Sequence, residues 1–393
     1  MSGRLILYNG NIVSGEEILH NGAVVIRGGE IAEVLPSRGL IRKKGDRVVD
    51  CSGAFICPGF IDLHNQGGGG FSVMDGTAES IKGLARVHAR HGTTGLLLTP
   101  LIETDGFREL LPWLAGLVGQ ETGGAAILGI HAEGPFINPE KKGAMPPGAI
   151  HQPDLAVFEE ILSLGDGRIK EMTIAPELPG ALDLILRLAR QGVIVSLGHS
   201  NAGLADVLRA IDCGASHVTH MYNAMSPIHH REPGLAGAAL YSSDLTVELI
   251  ADGFHIHPWI LGLTLQNKGP ARACLITDAS PVMGLADGGY EAMGNRVVLD
   301  SGKVTLADNP GTLAGSVLSM DRAVANMINM VGVTVSDAVT MASAAPAAIL
   351  GIENRKGWIE PGYDADIAIL DRTYRTQITV VGGKVVYERK DEI

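Results

Sequence analysis

The sequence predicts an α/β protein, a (β/α)8 TIM-like barrel with a small β-sandwich domain built from both chain ends. Three observations carry that prediction. Short apolar runs alternate with helical patterns eight times through the middle of the chain, and such alternation implies parallel strands joined by right-handed crossovers, which close into a barrel when there are eight. Five of the runs end in a residue that can bind a metal or move a proton: His64, Glu133, His199, His220 and Asp278. Side chains delivered from separate strand ends converge when the strands are parallel and closed, with the chemistry at the C-terminal mouth. Third, both chain ends carry short alternating strands punctuated by turns, and neither stretch is long enough for a secure core of its own, so the two are expected to pair.

In chain order, residues 5–8, 23–27, 30–34 and 46–50 read as strands, and Asn9-Gly10, Asn21-Gly22 and Gly28-Gly29 as hairpin turns between them. This stretch, 1–54, is the N-terminal part of the sandwich. The barrel is assigned to 55–355. Its first strand ends at His64 and is followed by a helix over 78–91; residues 95–99 give the second strand, followed by a helix over 107–118. The third strand ends at Glu133 and the fourth covers 170–177. Runs ending at His199, near Asn223, at His255 and at Asp278 complete the eight. Residues 280–309 break the rhythm and predict a strand-rich insertion or lid beside the site. Residues 356–393, with alternating runs at 365–370 and 378–387, complete the sandwich.

Composition limits the function classes. With 393 residues, 46% of them hydrophobic, the chain can bury a large core, as one barrel with additions or as two to three ordinary domains. Its 52 glycines and 4% aromatics suit many tight strand-to-loop turns and an interior filled by Val, Ile, Leu and Ala. A net charge of -12 argues against non-specific nucleic-acid binding, which needs a basic surface. A small anionic substrate needs only a local cationic pocket. The start lacks the apolar stretch of a signal peptide and no apolar run reaches membrane-spanning length, so a soluble, cytoplasmic protein is expected. Cys51, Cys57, Cys213 and Cys274 form no C-x-x-C pair; each reads as a small buried hydrophobe rather than part of a disulfide framework or thiolate zinc site.

The chemistry rests on the strand ends. Glu133, His199 and His220, one carboxylate and two imidazoles, are a ligand set for a divalent first-row metal, and three protein ligands leave positions open for water and substrate. One histidine at a strand end is more often a hydrogen-bonded structural residue; three ligands at separate ends, with Asp278 at a fourth, point to a metal-assisted hydrolase. Asp278 ends an apolar strand, where it is either an N-cap for the next helix or the general base and then acid beside a metal-activated water. His64 is followed by Asn65 and Gln66. A second histidine at 66 would complete a two-metal pair, whereas an amide oxygen is a poorer ligand, so one principal metal is expected and His64 is either a further ligand or a residue that orients water or substrate. The glycines 67–70 read as a loop turning from a crowded mouth rather than a phosphate cradle. His229-His230-Arg231 and His255 read either as an anion-binding cluster or as a solvated loop, and His131 either as a partner of the metal ligands or as core.

The motifs Pro58-Gly-Phe-Ile-Asp62, His131-Ala-Glu-Gly-Pro-Phe136, Gly198-His-Ser-Asn201, Thr219-His-Met-Tyr-Asn-Ala-Met225, His230-Arg-Glu-Pro-Gly234, Ile250-Ala-Asp-Gly-Phe-His255, Leu275-Ile-Thr-Asp278 and Gly311-Thr-Leu-Ala-Gly-Ser316 closely resemble those of N-acetylglucosamine-6-phosphate deacetylases of the amidohydrolase superfamily, in order and through essentially the whole chain. The resemblance implies that Glu133, His199 and His220 hold one principal divalent metal, commonly zinc or iron, and that Asp278 is the catalytic acid/base. It implies contacts to the amino-sugar phosphate from Ala144, Asn223, Ala224, Leu313, Ala314 and Gly315, with Arg231 and His255 facing the 6-phosphate. It further implies a homodimer in which Arg231 can act across the interface. Two departures stand out: Met145 replaces a histidine that in the family helps hold the acetyl group, and His64-Asn65-Gln66 is intermediate between two-metal and one-metal patterns. A deacylase of another N-acyl hexosamine phosphate, such as N-acetylgalactosamine 6-phosphate, and a catalytically silent sugar-phosphate binder are the alternatives.

Overall fold

The computed structural model describes residues 3–15, 17–102 and 106–390. The apolar runs become eight parallel strands, β1 (Phe60–Asp62), β2 (Thr93–Leu98), β3 (Ala126–Glu133), β4 (Ile169–Ile174), β5 (Ile194–Leu197), β6 (His217–Val218), β7 (Thr246–Ile250) and β8 (Ala273–Ile276), hydrogen-bonded to one another in chain order. Strands β2 and β8 are buried at every position, as expected where both faces of a parallel sheet are covered. No ladder joins β1 to β8. They meet instead at the mouth, where the Asp278 N–H donates to the His64 carbonyl (3.0 Å) and the Gln66 N–H to that of Ala279 (3.1 Å). Just inside, Asp62 accepts from the Thr277 N–H at 3.0 Å and from the Thr277 hydroxyl at 2.6 Å. The seam that closes the barrel therefore also fixes the backbone of His64, Gln66 and Asp278.

Between the strands, Ala78–Ala89 and Phe107–Leu117 are helical where the periodicity predicts. The first is started by Thr77, whose hydroxyl accepts from the Ser80 N–H and satisfies one free donor of the first turn. Phe60, Phe136 and Phe158 are fully buried in one core with the aliphatic residues of the strands and helices. The glycines at 67–70 do form a turn: Gly67–Gly68 pairs with Phe71–Ser72. A side chain at Gly67 would sit 2.4 Å from the Phe71 carbonyl oxygen, which explains the glycine by close packing.

Both chain ends contribute to a second, branched sheet. Leu5–Val13 is antiparallel to Ile18–Arg27, which pairs with Glu30–Pro36. On its other edge, Leu5–Val13 is parallel first to Arg47–Asp50 and then to Phe55–Pro58. Phe55–Pro58 in turn pairs with Ile367–Leu370, which leads to Thr376–Val381 and Lys384–Glu388. Leu7, Ile12, Val24, Ile31 and Ile56 from one end share a core with Ile359, Ile367, Ile369 and Val380 from the other. A boundary after residue 54 would separate Phe55–Pro58 from this sheet. Its apolar sequence resembles a barrel strand, and only its pairing partners, Leu5–Val13 on one edge and the distant Ile367–Leu370 on the other, assign it otherwise.

The stretch after Asp278 carries an antiparallel sheet of Gly288–Ala292, Asn295–Asp300, Lys303–Leu306 and Asn309–Leu313 with its own small core of Val282, Val297, Leu299 and Val304. It reaches past the expected 309 to Leu313. Cys51, Cys57 and Cys274 are buried and Cys213 is half-buried; all four are free thiols. Among the described residues no helix is long and apolar enough to cross a membrane.

Candidate metal and substrate site

Strand β3 carries Glu133 at its end, and the turns leaving β5 and β6 carry His199 and His220. The structure brings the three together: Glu133 Oε1 lies 3.1 Å from His199 Nε2 and 3.2 Å from His220 Nε2, and the two nitrogens are 3.0 Å apart. All three side chains are buried. His199 Nδ1 faces the Lys141 carbonyl at 2.8 Å; a carbonyl only accepts, so Nδ1 donates to it and Nε2 is the ring atom turned toward Glu133. One carboxylate oxygen and two imidazole nitrogens converging at this separation are the donor set of a divalent metal, and the residues present fit one. His199 (φ 48°), His220 (φ 27°), Tyr222 (φ 76°), Ala224 (φ 48°) and Asp278 (φ 46°) are all left-handed. Such conformations cost about 1–3 kcal/mol each and gather where geometry serves a site.

The other oxygen of Glu133 is engaged differently. Gln66 Nε2 donates to Glu133 Oε2 at 2.8 Å, and since a carboxylate only accepts, the orientation of the amide is fixed. Gln66 therefore spends its amide on positioning Glu133. His64 Nε2 lies 3.4 Å from Glu133 Oε2 and 3.5 Å from Asp278 Oδ1 and has no hydrogen-bond partner, while Nδ1 is 3.2 Å from Glu248 Oε2. Burial alone would push the His64 imidazolium down, but Glu133, Asp278 and Glu248 hold it well above the ordinary range. Burial would lift the Glu133 carboxyl; the imidazoles of His64, His199 and His220 hold it well below. Asp278 is raised by burial, against the pull of His64. It does not cap a helix: the next one, Met320–Asn326, starts after Ser319, and the backbone N–H and C=O of Asp278 are used in the barrel seam, to His64 and from Ser316.

These groups lie at the base of a cavity of about 540 Å³ lined by Gln66, Glu133, His199, His220, Asp278 and residues of three surrounding segments. That volume suits a small ligand such as one sugar phosphate. Ala144, Asn223, Ala224, His255, Leu313, Ala314 and Gly315 all line it. Asn223 is anchored by its amide, which donates to the carbonyls of His220 (3.1 Å) and Met221 (3.2 Å). His255 lies in the loop beyond β7 rather than at its end, and its Nδ1 is 2.6 Å from Asp252 Oδ2. Gly315 (φ +63°) passes so close to Asp278 that a Cβ there would be 3.1 Å from its carbonyl oxygen.

Arg231 is not brought to the cavity. It is exposed beside His230, whose Nε2 is 2.9 Å from Nη1. Met145 is at the cavity wall but 5% exposed, packed with Leu101, Ile137 and Ala149.

Several residues at the site carried no assignment from sequence. Glu248, inside β7, accepts from the His220 N–H at 2.9 Å as well as facing His64. Glu177 ties two loops together, accepting from Asn138 Nδ2 (2.8 Å), the Asn201 N–H (2.6 Å) and the Ser200 hydroxyl (2.7 Å). Lys141 and Lys142 line the cavity. A signal for Glu248 was present: a charged residue inside an apolar barrel strand is costly unless partnered. His131 accepts from the Thr173 hydroxyl at 2.8 Å on Nε2 and donates from Nδ1 to the Leu63 carbonyl at 3.2 Å. Burial and then His64 push it down to about 3, so it is a neutral core residue packed edge-on against the His64 ring.

The amidohydrolase family profile matches residues 55–386. The N-acetylglucosamine-6-phosphate deacetylase of Bacillus subtilis (strain 168) is 35% identical over 395 residues, covering 100% of this chain and 99% of the relative. An N-acetylgalactosamine-6-phosphate deacetylase of Escherichia coli O157:H7 is 37% identical over 339 residues, 86% of this chain and 89% of its own. Among solved structures, the N-acetylglucosamine-6-phosphate deacetylase of Pasteurella multocida superposes with a TM-score of 0.91 at 29% identity, covering 98% of this chain and 100% of that one. The chain belongs to the amidohydrolase family.

Proposed function

We propose that this amidohydrolase cleaves the acetamide of N-acetylglucosamine 6-phosphate, giving glucosamine 6-phosphate and acetate. The observation that carries the reading is the meeting of Glu133, His199 and His220 within 3.2 Å of one another beside Asp278 at the base of one cavity. Glu133, His199 and His220 would hold the metal, zinc or iron. When bound, it supplies a Lewis acid that lowers the pKa of a water toward about 7. Asp278 removes the proton of the attacking water as its oxygen bonds to the acyl carbon, then returns a proton to the nitrogen as the carbon–nitrogen bond breaks. Gln66 holds Glu133 in place throughout, and His64, facing both carboxylates, orients water or the acetyl oxygen. No covalent enzyme intermediate is required.

Asn223, Ala224, Ala144 and residues 313–315 frame the sugar, and His255, fixed by Asp252, faces the 6-phosphate. Arg231 is supplied to the phosphate of a neighbouring subunit in a homodimer. Its exposed position off the cavity supports that reading, as do Tyr241 and Trp259, large apolar side chains 95% and 84% exposed on the adjacent helices. The enzyme works in the cytoplasm on a soluble anionic sugar. The Escherichia coli relative supports a second reading, N-acetylgalactosamine 6-phosphate as substrate. Turnover of both epimers, with and without the 6-phosphate, together with metal content, tests the proposal. Preference for the galacto epimer would transfer it, and absence of turnover by metal-loaded protein on every amino sugar would reduce the chain to a silent binder.

A further inference from the structure

Below the mouth, the barrel interior gathers a second set of metal donors that the proposed hydrolysis leaves unused. Strands β4, β6 and β7 deliver Glu171, His217 and Glu248, each wholly buried, with one ligand atom apiece lying within 4.8 Å of the others. His217 Nε2 is 3.9 Å from Glu171 Oε1 and 3.7 Å from Glu248 Oε1. These separations are too long for hydrogen bonds. They are the spacing of ligands each about 2.0–2.3 Å from a common centre.

The surrounding hydrogen bonds leave these carboxylate oxygens free, and a further neighbour of His217 Nε2 is the weak partner Cys274 Sγ at 4.0 Å. The Thr246 hydroxyl lies 3.1 Å from the Ser216 carbonyl and 2.6 Å from His217 Nδ1. When His217 Nδ1 donates to that hydroxyl, Nε2 is the ring atom left to face the two carboxylates. The nearby hydroxyls are spent as well. With Thr173 donating to His131, Thr219 is left to donate to Thr173 (2.7 Å) and Ser196 to Thr219 (2.6 Å). Nothing then remains for Glu171, both of whose oxygens are without a partner, as is Glu248 Oε1. Two buried carboxylates facing one imidazole nitrogen, three of their oxygens unpartnered, are costly unless a cation lies between them. Without one, burial and then the charge of Glu248 hold the Glu171 carboxyl well above its ordinary range.

We propose that Glu171, His217 and Glu248 bind a second divalent cation in the barrel floor, beneath the Glu133 centre. Its role is structural, since its ligands have no exposure. Glu248 links the two levels: Oε1 faces the floor site while Oε2 accepts from the His220 N–H and faces His64. The neighbouring trio of His64, His131 and Glu248 does not make such a site, because both His131 nitrogens are engaged.

The test is metal stoichiometry of the purified full chain by mass spectrometry, before and after prolonged chelation, with anomalous diffraction from wild-type crystals. The expected result is about two equivalents per chain, of which the buried one resists the chelator. Glu171→Gln should lose that one and keep the other, and Glu133→Gln should show the reverse. An anomalous peak among the three side chains supports the site even if Glu171→Gln fails to fold. A single equivalent in wild type, or a water among the three side chains with anomalous signal only at Glu133, overturns it without touching the deacetylase reading.

Discussion

Replacing Gln66 by methionine tests whether the donor set at the mouth depends on the amide that donates to Glu133. The backbone at 66 is held independently of the side chain, by its N–H to Ala279 and by its carbonyl, which accepts from the Val73 N–H at 3.0 Å. Methionine keeps the length and removes only the amide, so Glu133 Oε2 loses its 2.8 Å donor and retains His64 Nε2 at 3.4 Å. A hydrogen bond to a charged group contributes about 1.5–3 kcal/mol, which at about 1.4 kcal/mol per tenfold corresponds to roughly a 10- to 150-fold change. That agrees with the 10–100-fold loss usual when a partner of a metal ligand is removed. Competition with a chromophoric chelator should therefore show the Kd for metal rising about 10–100-fold, with unchanged circular dichroism. An affinity within about twofold of wild type would refute the argument that Gln66 positions Glu133.

Asp278→Asn should keep its metal and fold while turnover falls about 100- to 10,000-fold, the contribution of general acid–base catalysis; near-normal turnover would remove Asp278 from the mechanism. Arg231→Ala should raise KM for the phosphorylated substrate roughly tenfold or more, at about 1.5–3 kcal/mol for a charge-assisted bond, and leave an unphosphorylated analogue unaffected; equal losses would assign Arg231 a structural role. Met145→His puts an imidazole among Leu101, Ile137 and Ala149, so stability should drop by about 1–3 kcal/mol while turnover of the N-acetyl substrate rises. A wild-type preference for propionyl or butyryl substrates, abolished by the change, would show instead that Met145 shapes a larger acyl pocket. Asp371 is lifted by burial but drawn down to about 2 by hydrogen bonds from Thr373, Arg389 and Arg375. Its folded value lies below the unfolded one of about 3.9, so its stabilisation is complete above that value and is lost as pH falls toward 2. The difference in urea midpoint between wild type and Asp371→Asn should accordingly be smaller at about pH 3 than at about pH 6; an unchanged difference would show that the carboxylate charge is not what stabilises.

The sequence alone was enough to identify the barrel, because local hydrophobic periodicity and strand-terminal polar residues are written within a few positions of one another. Ending apolar runs at Glu133, His199, His220 and Asp278 sufficed to say that they share a mouth, and the structure gathers all four there. What sequence left open depends on pairings between distant positions. Gln66 meets Glu133 across 67 residues and Glu248 meets His64 across 184, and neither contact leaves a mark on its own neighbourhood beyond a polar residue in apolar company. The strand at 55–58 reads as barrel by composition and joins the end sheet only through its partners. Arg231 looks like a phosphate ligand in sequence yet lies outside the cavity of its own chain. Periodicity dictates which face of a strand is buried; only closure of the barrel decides which buried carboxylate faces an imidazole, an amide or another carboxylate, and that choice sets the charge at the site.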